Sequence, residues 1–443
     1  MRLLLFLLSV TCCLAAPPVD AGMHIRLAGF KAGGNGLPAG WSVWAPRPEI
    51  SPRAFLDVTR YRTGPASLAL TGNSNPAVHG GWDYLVEGVQ PGKWYRFTAW
   101  YKTEGVTYEP VQVLAKLRWE SADGRRAGPP EFPAAVSVRD GWKRLTVDAP
   151  ANRGAARVRI QLLLANAPQA TVWWDDISFD EIPPPPPRNV TVAAVKFEPR
   201  GAGSGKEAVR RALEVLDRTV QAKTDVIVFG ESLTWAGMRG PMVDAAEPIP
   251  GPSTEQLGAA ARAKHSYVVA GLTEREGAAI YNTAVLIDRQ GRLIGKYRKT
   301  HLPYTEIEEG VTPGNSYPVF ETDFGKVGMM ICWDTEFPDP ARGLALGGAE
   351  IILVPIWAAT ENLMRARAME NRVFLAASNY SNPSLIMDPK GESLAVATEQ
   401  GSAAVATIDL NKRYDWGGLG NMRGRIIREM HPEIPLIRPG FIH

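Results

Sequence analysis

A run of five consecutive prolines, in EIPPPPPRNV at residues 181–190, divides the 443-residue chain. Proline fixes φ and lacks an N–H group, so this run cannot join a helix or a central strand and favours a stiff, extended spacer. The composition changes at the same place, because nine of the thirteen tryptophans precede the prolines. The sequence therefore predicts two domains, over residues 22–182 and 188–443, with residues 183–187 as a linker.

Short segments rich in aromatic and β-branched residues fill the first domain: KWYRFTAWYKTEG, GWKRLTVDAP, ARVRIQLLLAN and TVWWDDISFDEI. Turn signals such as Pro91-Gly92 separate them, which predicts an all-β sandwich. The pattern resembles the galactose-binding-like jelly rolls that include many carbohydrate-binding modules, and it makes a glycan a candidate partner. A sugar platform would draw on Trp82, Trp94, Trp100, Trp119, Trp173 and Trp174, although most tryptophans in such strands belong to the core.

Strand and helix patterns alternate in the second domain. NVTVAAVKF and TDVIVFGE read as strands, and the amphipathic segment KEAVRRALEVLDRTVQAK between them reads as a helix. Further strands follow in SYVVAGL, KVGMMIC and AEIILVPIW, and ENLMRARAMENRVF forms a later helix. This alternation predicts a layered α/β domain.

The N-terminal sequence MRLLLFLLSVTCCLAA predicts a signal peptide over residues 1–16, with a basic start, a short apolar core and small residues before the cleavage site. We therefore expect export to the periplasm or the extracellular space, with no lipid anchor. The apolar run is too short to span a bilayer, so no transmembrane segment is expected. The net charge of +3 is too weak to favour nucleic acid as a partner.

Cys332 is the one cysteine that remains after the predicted signal peptide. It lies in GMMICWDTEFPD, where a strand pattern ends and a helix pattern begins. The positive end of a helix favours a thiolate, and the turn directs the N–H group of Trp333 toward an oxyanion. The residues therefore predict a nucleophile, whereas a lone cysteine without such neighbours would be read as core filling.

The motif GMMICWDTEFPD, together with the earlier GKYRKTHLP and VIVFGESLT, resembles the nitrilase superfamily of carbon–nitrogen hydrolases. The resemblance covers residues 189–411 and implies a catalytic triad of Glu231, Lys299 and Cys332. It also implies an α-β-β-α sandwich for residues 188–443, assembly into dimers or larger oligomers, and catalysis without a metal or an organic cofactor.

Two details of the family pattern differ or stay open here. Gly230 stands where proline is usual before the glutamate, and Trp333 stands where tyrosine is common after the cysteine. The family also has an accessory glutamate between the lysine and the cysteine, for which TEIEEGVTPG offers Glu306, Glu308 and Glu309. We expect Glu308 to take this role.

The resemblance implies hydrolysis of a non-peptide C–N bond in a small amide or N-carbamoyl compound, with nitriles ranked lower. Cys332 would form a thioester that water then cleaves. Two alternatives remain: an acyltransferase in which an amine captures the thioester, and a catalytically idle scaffold whose β-sandwich binds a carbohydrate.

Overall fold

The computed structural model describes residues 22–34, 36–220 and 223–430, and the predicted signal peptide lies outside them. The chain divides into two compact units. The first unit comprises the described residues up to 184, except for 108–111 and 129–132, which belong with residues 185–430 in the second. Among the described residues, no helix combines the length and the apolar character that crossing a bilayer requires.

The first unit is built almost wholly of antiparallel strands. A four-residue helix, α1 (Glu109–Gln112), lies between the sixth and seventh strands in sequence, and its first three residues belong to the second unit. The strands are β1 His24–Leu27, β2 Trp41–Trp44, β3 Arg53–Asp57, β4 Ser67–Thr71, β5 His79–Glu87, β6 Trp94–Glu104, β7 Val113–Glu120, β8 Ala134–Arg139, β9 Trp142–Pro150, β10 Arg157–Ala165 and β11 Thr171–Ile182.

These strands form two sheets around one apolar core. One sheet has the order β3-β4-β11-β6-β9-β8, with β1 also paired to β11, and the other has the order β2-β5-β10-β7. Alternate residues of β6, such as Tyr95 and Phe97, point into the same buried cluster as Trp119 of β7 and Leu162 of β10. The sequence prediction of an all-β arrangement agrees with these strands, and the finer assignment to a galactose-binding-like jelly roll stays a prediction.

Four of the six tryptophans considered for a sugar platform are buried. Trp82, Trp119 and Trp174 are fully buried in the core between the two sheets, where no glycan can contact them. Trp173 is also buried, beneath the guanidinium group of Arg60. The sequence could not separate these from surface tryptophans, because each strand places neighbouring residues on opposite faces.

The second unit has the alternation that the sequence predicted. Its helices are α2 Gly205–Thr219, α3 Pro252–Lys264, α4 Tyr304–Glu308, α5 Pro338–Leu346, α6 Glu361–Asn371 and α7 Arg423–Glu429. Its strands are β12 Asn189–Lys196, β13 Val226–Val228, β14 Tyr267–Glu276, β15 Ala279–Ile287, β16 Leu293–Arg298, β17 Val319–Glu321, β18 Lys326–Met329, β19 Ile351–Ile356, β20 Phe374–Asn379, β21 Ser384–Met387, β22 Ser393–Ala397, β23 Ser402–Asp409, β24 Asp415–Trp416 and β25 Gly420–Asn421.

Two six-stranded sheets face each other in this unit. Their orders are β16-β15-β14-β13-β12-β23 and β17-β18-β19-β20-β21-β22, and the central strands of each run parallel. Val228 and Val269 of the first sheet share a core with Leu353 of the second. Helices α2 and α3 cover the outer face of the first sheet, and α5 and α6 pack beside the second. The predicted α-β-β-α order is therefore confirmed.

Parallel strands end on the same edge of a sheet, and this edge collects the predicted site residues. Strand β13 ends three residues before Glu231, and β18 ends three residues before Cys332. Strand β16 ends immediately before Lys299. Residues that are far apart in sequence thus meet because their strands are registered in two packed sheets.

Candidate active site

Glu231 is held at the end of β13 by its backbone and by both carboxylate oxygens. The N–H group of Gly271 donates to the carbonyl of Gly230 at 3.0 Å, and a Cβ atom at Gly271 would come within 2.7 Å of the Glu231 Cα. Only glycine therefore permits this close approach. The Glu231 Oε2 atom accepts from the backbone N–H of Trp357 at 2.9 Å. The carboxylate is 3 % exposed, so its direction is fixed within the fold.

Lys299 is a buried ammonium group, 1 % exposed, that bridges two carboxylates. Its Nζ atom donates to Glu231 Oε1 and to Glu306 Oε1, each at 2.8 Å. The side-chain amide of Asn282 donates to the same two oxygens, at 2.7 and 2.8 Å. Burial disfavours the ammonium form, but the two carboxylates outweigh this effect and raise the pKa of Lys299 above its ordinary value.

Glu306, and not the expected Glu308, is the second glutamate at the lysine. Helix α4 turns Glu306 inward, where the residue is 8 % exposed, and leaves Glu308 exposed beside Tyr304. Burial raises the pKa of Glu306; Lys299 opposes this shift and Glu231 adds to it. The expectation for Glu308 is therefore corrected, because residues two apart on a helix cannot face the same partner.

Cys332 lies on a sharp turn between a strand and a helix, as its sequence context predicted. A 3-10 helix spans Cys332–Glu336 and leads into α5. The φ angle of Cys332 is +38°, a left-handed conformation that costs a non-glycine residue about 1–2 kcal/mol. The thiol lies 3.6 Å from the carbonyl oxygen of Ala358. Trp333, which follows it in the turn, is 40 % exposed.

Asp334 is the residue that holds this turn in place, and it is not among the site residues predicted from the sequence. Its Oδ2 atom accepts from the N–H of Ile331 at 2.9 Å and from the hydroxyl of Tyr297 at 2.7 Å. Its Oδ1 atom accepts from the N–H of His301 at 3.0 Å. One fully buried carboxylate thus joins the segment that carries Lys299 to the turn that carries the cysteine.

Arg367 of α6 braces the same turn from the other side. Its guanidinium group donates to the carbonyls of Thr335 and Glu336 at 3.0 and 3.2 Å, and to the Glu370 carboxylate at 2.8 Å. These contacts satisfy the carbonyl groups at the end of the 3-10 helix. The arginine therefore supports the nucleophile turn without lining the pocket described below.

Burial favours the neutral form of the Cys332 thiol. Burial, together with the charge of Glu231, raises its pKa to about 12, and Lys299 offsets only part of this shift. The expectation that the helix end favours a thiolate is therefore wrong for the resting protein, because burial outweighs the helix dipole. A reaction at this sulfur would need a base in the pocket to accept the thiol proton. His301 stacks on Phe337 and does not line the pocket, whereas Glu231 does.

The second unit contains a pocket of about 220 Å³, and its lining includes Glu231, Lys299, Glu306 and Cys332. Ser232 Oγ and Glu306 Oε2 are buried on this lining and have no hydrogen-bond partner among the described residues, so both are available to a bound molecule. A small pocket with few polar groups on apolar walls suits a small ligand. The complete lining is Glu231, Ser232, Trp235, Met242, Lys299, Pro303, Thr305, Glu306, Glu309, Cys332 and Trp357.

Comparison with known proteins agrees with this geometry. Residues 191–417, just over half of the chain, match the family described as carbon-nitrogen hydrolase. The chain belongs to the carbon-nitrogen hydrolase family. It is therefore an enzyme of the amidase and nitrilase type that acts on C–N bonds other than peptide bonds.

Three curated members of the carbon-nitrogen hydrolase family give the range of the likeness. A nitrilase of Pyrococcus abyssi is 39 % identical over 40 % of this chain and 74 % of its own length. An omega-amidase NIT2 of Xenopus tropicalis is 29 % identical over 46 % of this chain and 83 % of its own. A citrullinase of Francisella tularensis is 32 % identical over 38 % of this chain and 70 % of its own.

The departure at Gly230 from the usual family proline has a steric explanation in this carbon-nitrogen hydrolase. A Cβ atom at Gly230 would lie 2.2 Å from a ring carbon of Tyr380. The Tyr380 ring is fully buried and packs edge-on against Trp357 at 5.5 Å, so it cannot swing away. The tyrosine and the glycine therefore depend on each other, next to Glu231.

We predict that Gly230→Ala lowers both the melting temperature and kcat/KM, because the new methyl group must displace either Tyr380 or the Glu231 backbone. Overpacking of this kind typically costs about 1–3 kcal/mol. In a Tyr380→Ala background the same change should cost much less, since the ring is gone. A double-mutant cycle measured by thermal unfolding and by activity tests this coupling.

Gly417 supplies the control for that cycle, because a Cβ atom there meets no atom within 4 Å. Gly417→Ala should leave both readouts near those of the wild type. Strictly additive effects of the changes at residues 230 and 380 would contradict the steric explanation.

We also predict that modification of Cys332 by methyl methanethiosulfonate accelerates with rising pH up to at least pH 10 without reaching a plateau. The thiolate is the reactive form, and its fraction keeps growing while the pH stays below the pKa. Glu231→Gln should move the profile to lower pH and Lys299→Met to higher pH, since the carboxylate raises this pKa and the ammonium lowers it. Mass spectrometry of the Cys332 peptide gives the rates, and a wild-type plateau near pH 8 would contradict the prediction.

Proposed function

We propose that this enzyme hydrolyses a small amide or N-carbamoyl compound through a thioester on Cys332, with Glu231 as the general base and acid and Lys299 as the electrostatic partner. One observation carries the proposal: the three side chains line one small pocket, and the lysine is fixed by two buried carboxylates. The curated relatives named nitrilase, omega-amidase and citrullinase support C–N hydrolysis of this kind.

The first half of the reaction forms the thioester. As the sulfur attacks the carbonyl carbon, Glu231 accepts the thiol proton, and the carbonyl oxygen becomes an oxyanion. The Lys299 ammonium and the backbone N–H of Trp333 are the donors that we assign to this oxyanion. When the tetrahedral intermediate collapses, the C–N bond breaks and Glu231 returns the proton to the leaving nitrogen, which departs as ammonia or an amine.

The second half regenerates the enzyme. Glu231 accepts a proton from water as the water oxygen attacks the thioester carbonyl, and the same donors hold the second oxyanion. The C–S bond then breaks, the carboxylic acid leaves, and the sulfur recovers its proton. The balance is one water consumed and one C–N bond replaced by a C–O bond, and it requires no redox partner.

We predict that ammonia release from small amides and N-carbamoyl amino acids is lost in Cys332→Ala. The nucleophile is then absent while the rest of the pocket remains. Ammonia release from the wild type and the variant, measured side by side with nitriles as additional substrates, tests the mechanism. Equal turnover by both proteins would rule out the thiol route.

The same assay, with hydroxylamine added, distinguishes hydrolysis of the thioester from acyl transfer to an amine. Added hydroxylamine captures a thioester as a hydroxamate. A wild-type enzyme that produces acyl products only when an amine acceptor is present would be a transferase. A wild type that neither releases ammonia nor forms a hydroxamate would favour the idle scaffold.

We further predict that Glu306→Gln lowers kcat by about 10–100-fold, whereas Glu308→Gln leaves kcat within about twofold, since only Glu306 contacts Lys299. The glutamine still accepts a hydrogen bond from the lysine but removes one of the two charges that hold it. The two glutamates lie two positions apart on one helix, and both variants make the same chemical change, so they form a matched comparison. Equal losses in the two variants would contradict the assignment of Glu306.

The setting of the activity follows from the remaining sequence predictions. We propose that the enzyme acts after export directed by residues 1–16, and that it assembles as a homo-oligomer. Domain boundaries at residues 182 and 188 belong to the same proposal. A glycan could engage the first domain through Trp94 and Trp100, which are the members of the predicted platform that remain partly exposed.

A further inference from the structure

The pocket carries one carboxylate that the proposed reaction does not use. Glu309 follows helix α4 and lines the pocket together with Cys332. Its Oε2 atom accepts from the backbone N–H of Met242 at 2.6 Å, at the start of the 3-10 helix Met242–Ala245. No lysine, arginine or histidine among the described residues forms an ion pair with Glu309. One oxygen thus anchors the group, and its charge stays without a protein counter-ion.

The charge of the lining as a whole is negative. Lys299 is the only basic side chain among the lining residues, and it already binds Glu231 and Glu306. Even with Glu306 protonated, Glu231 and Glu309 leave an excess of one negative charge. A substrate that itself carries a carboxylate would find no unpaired cation in the lining, and it would be repelled by the negative charge there.

Two aromatic residues of the same lining also suit a cation. Trp235 and Trp357 lie 5.4 Å apart, with their ring planes tilted by 45°, and both line the pocket. The indole N–H of Trp235 donates to the carbonyl of Gly240 at 3.0 Å, which holds this ring in its place. Aromatic faces attract cations through the ring quadrupole, and tryptophan does so most strongly.

We propose that the acyl part of the substrate carries a positive charge, which Glu309 recognises and which the paired indoles of Trp235 and Trp357 favour. This proposal rests on the amide hydrolysis proposed above and names its substrate class: a short amide with an amino group at the end of the chain. Glu309 is then a specificity residue that acts on binding, and it takes no part in the proton transfers.

The test uses three amides of matched length with the complete enzyme. They are 4-aminobutanamide, which is cationic, pentanamide, its neutral isostere, and succinamate, which is anionic. We expect kcat/KM to be about two- to fivefold higher for the cationic amide than for pentanamide, the size of effect that an exposed charge pair produces, and lowest for succinamate. Added salt should reduce this preference through screening.

Glu309→Gln should remove the preference, with a larger rise in KM for 4-aminobutanamide than for pentanamide. The glutamine keeps an oxygen for the Met242 N–H group, so the loop stays anchored. Glu308→Gln is the matched control, since Glu308 lies outside the pocket lining and should keep the wild-type preference.

The outcomes separate the two proposals. Turnover of all three amides at equal efficiency, or best turnover of succinamate, would overturn the charge assignment and leave the hydrolase intact. An unchanged preference in Glu309→Gln would overturn the role of that residue. Absence of Cys332-dependent turnover on all three amides would overturn both the hydrolysis of such amides and the specificity built on it.

Discussion

The site depends on one buried ammonium group held between two carboxylates. Lys299 is almost inaccessible to water, and a charge in such a place is tolerated only when its partners are fixed and close. Glu231 and Glu306 supply them at 2.8 Å, from a strand end and from a short helix far apart in sequence. Removing one partner would leave a buried charge uncompensated, which is more costly than losing a surface ion pair. The position of the lysine therefore requires that both sheets and α4 be correctly assembled.

The fold provides this assembly through two kinds of contact at the strand ends. Gly271 lets the backbone before Glu231 approach β14 closely, and Asn282 on β15 holds both glutamates through one amide group. Asp334 then joins the lysine segment to the cysteine turn. The side chains of the proposed triad are thus connected through backbone N–H groups, one amide and one carboxylate, which hold the geometry of the site.

Much of the fold and of the candidate site could be predicted from the sequence, because strands and site motifs are determined by short stretches of neighbouring residues. The apolar runs before Glu231 and Cys332 predicted buried strands, which the structure contains, whereas the domain boundaries at the proline run stay a prediction. The choice between Glu306 and Glu308 could not be made, since it depends on where α4 begins and how it faces the lysine. The protonation of Cys332 was also beyond the sequence, because it follows from burial that only the packed sheets create. Trp82 and Trp174 show the same limit, since a strand pattern does not say which face meets the second sheet.

Backbone strain lies at the same points as the chemistry. Ser232 and Cys332 both have positive φ angles, +42° and +38°, and each is beside or at a member of the proposed triad. Non-glycine residues persist in such conformations only where the surrounding structure determines them, and the cost is about 1–3 kcal/mol each. Here Gly271 fixes the first turn, and Asp334 with Arg367 fixes the second. Since the strain is already present in the folded chain, substrate binding need not create the turn that places the sulfur in the pocket. The binding energy of the substrate is therefore not consumed in forming this turn, and contacts with Glu309 and the two indoles can contribute to affinity in full.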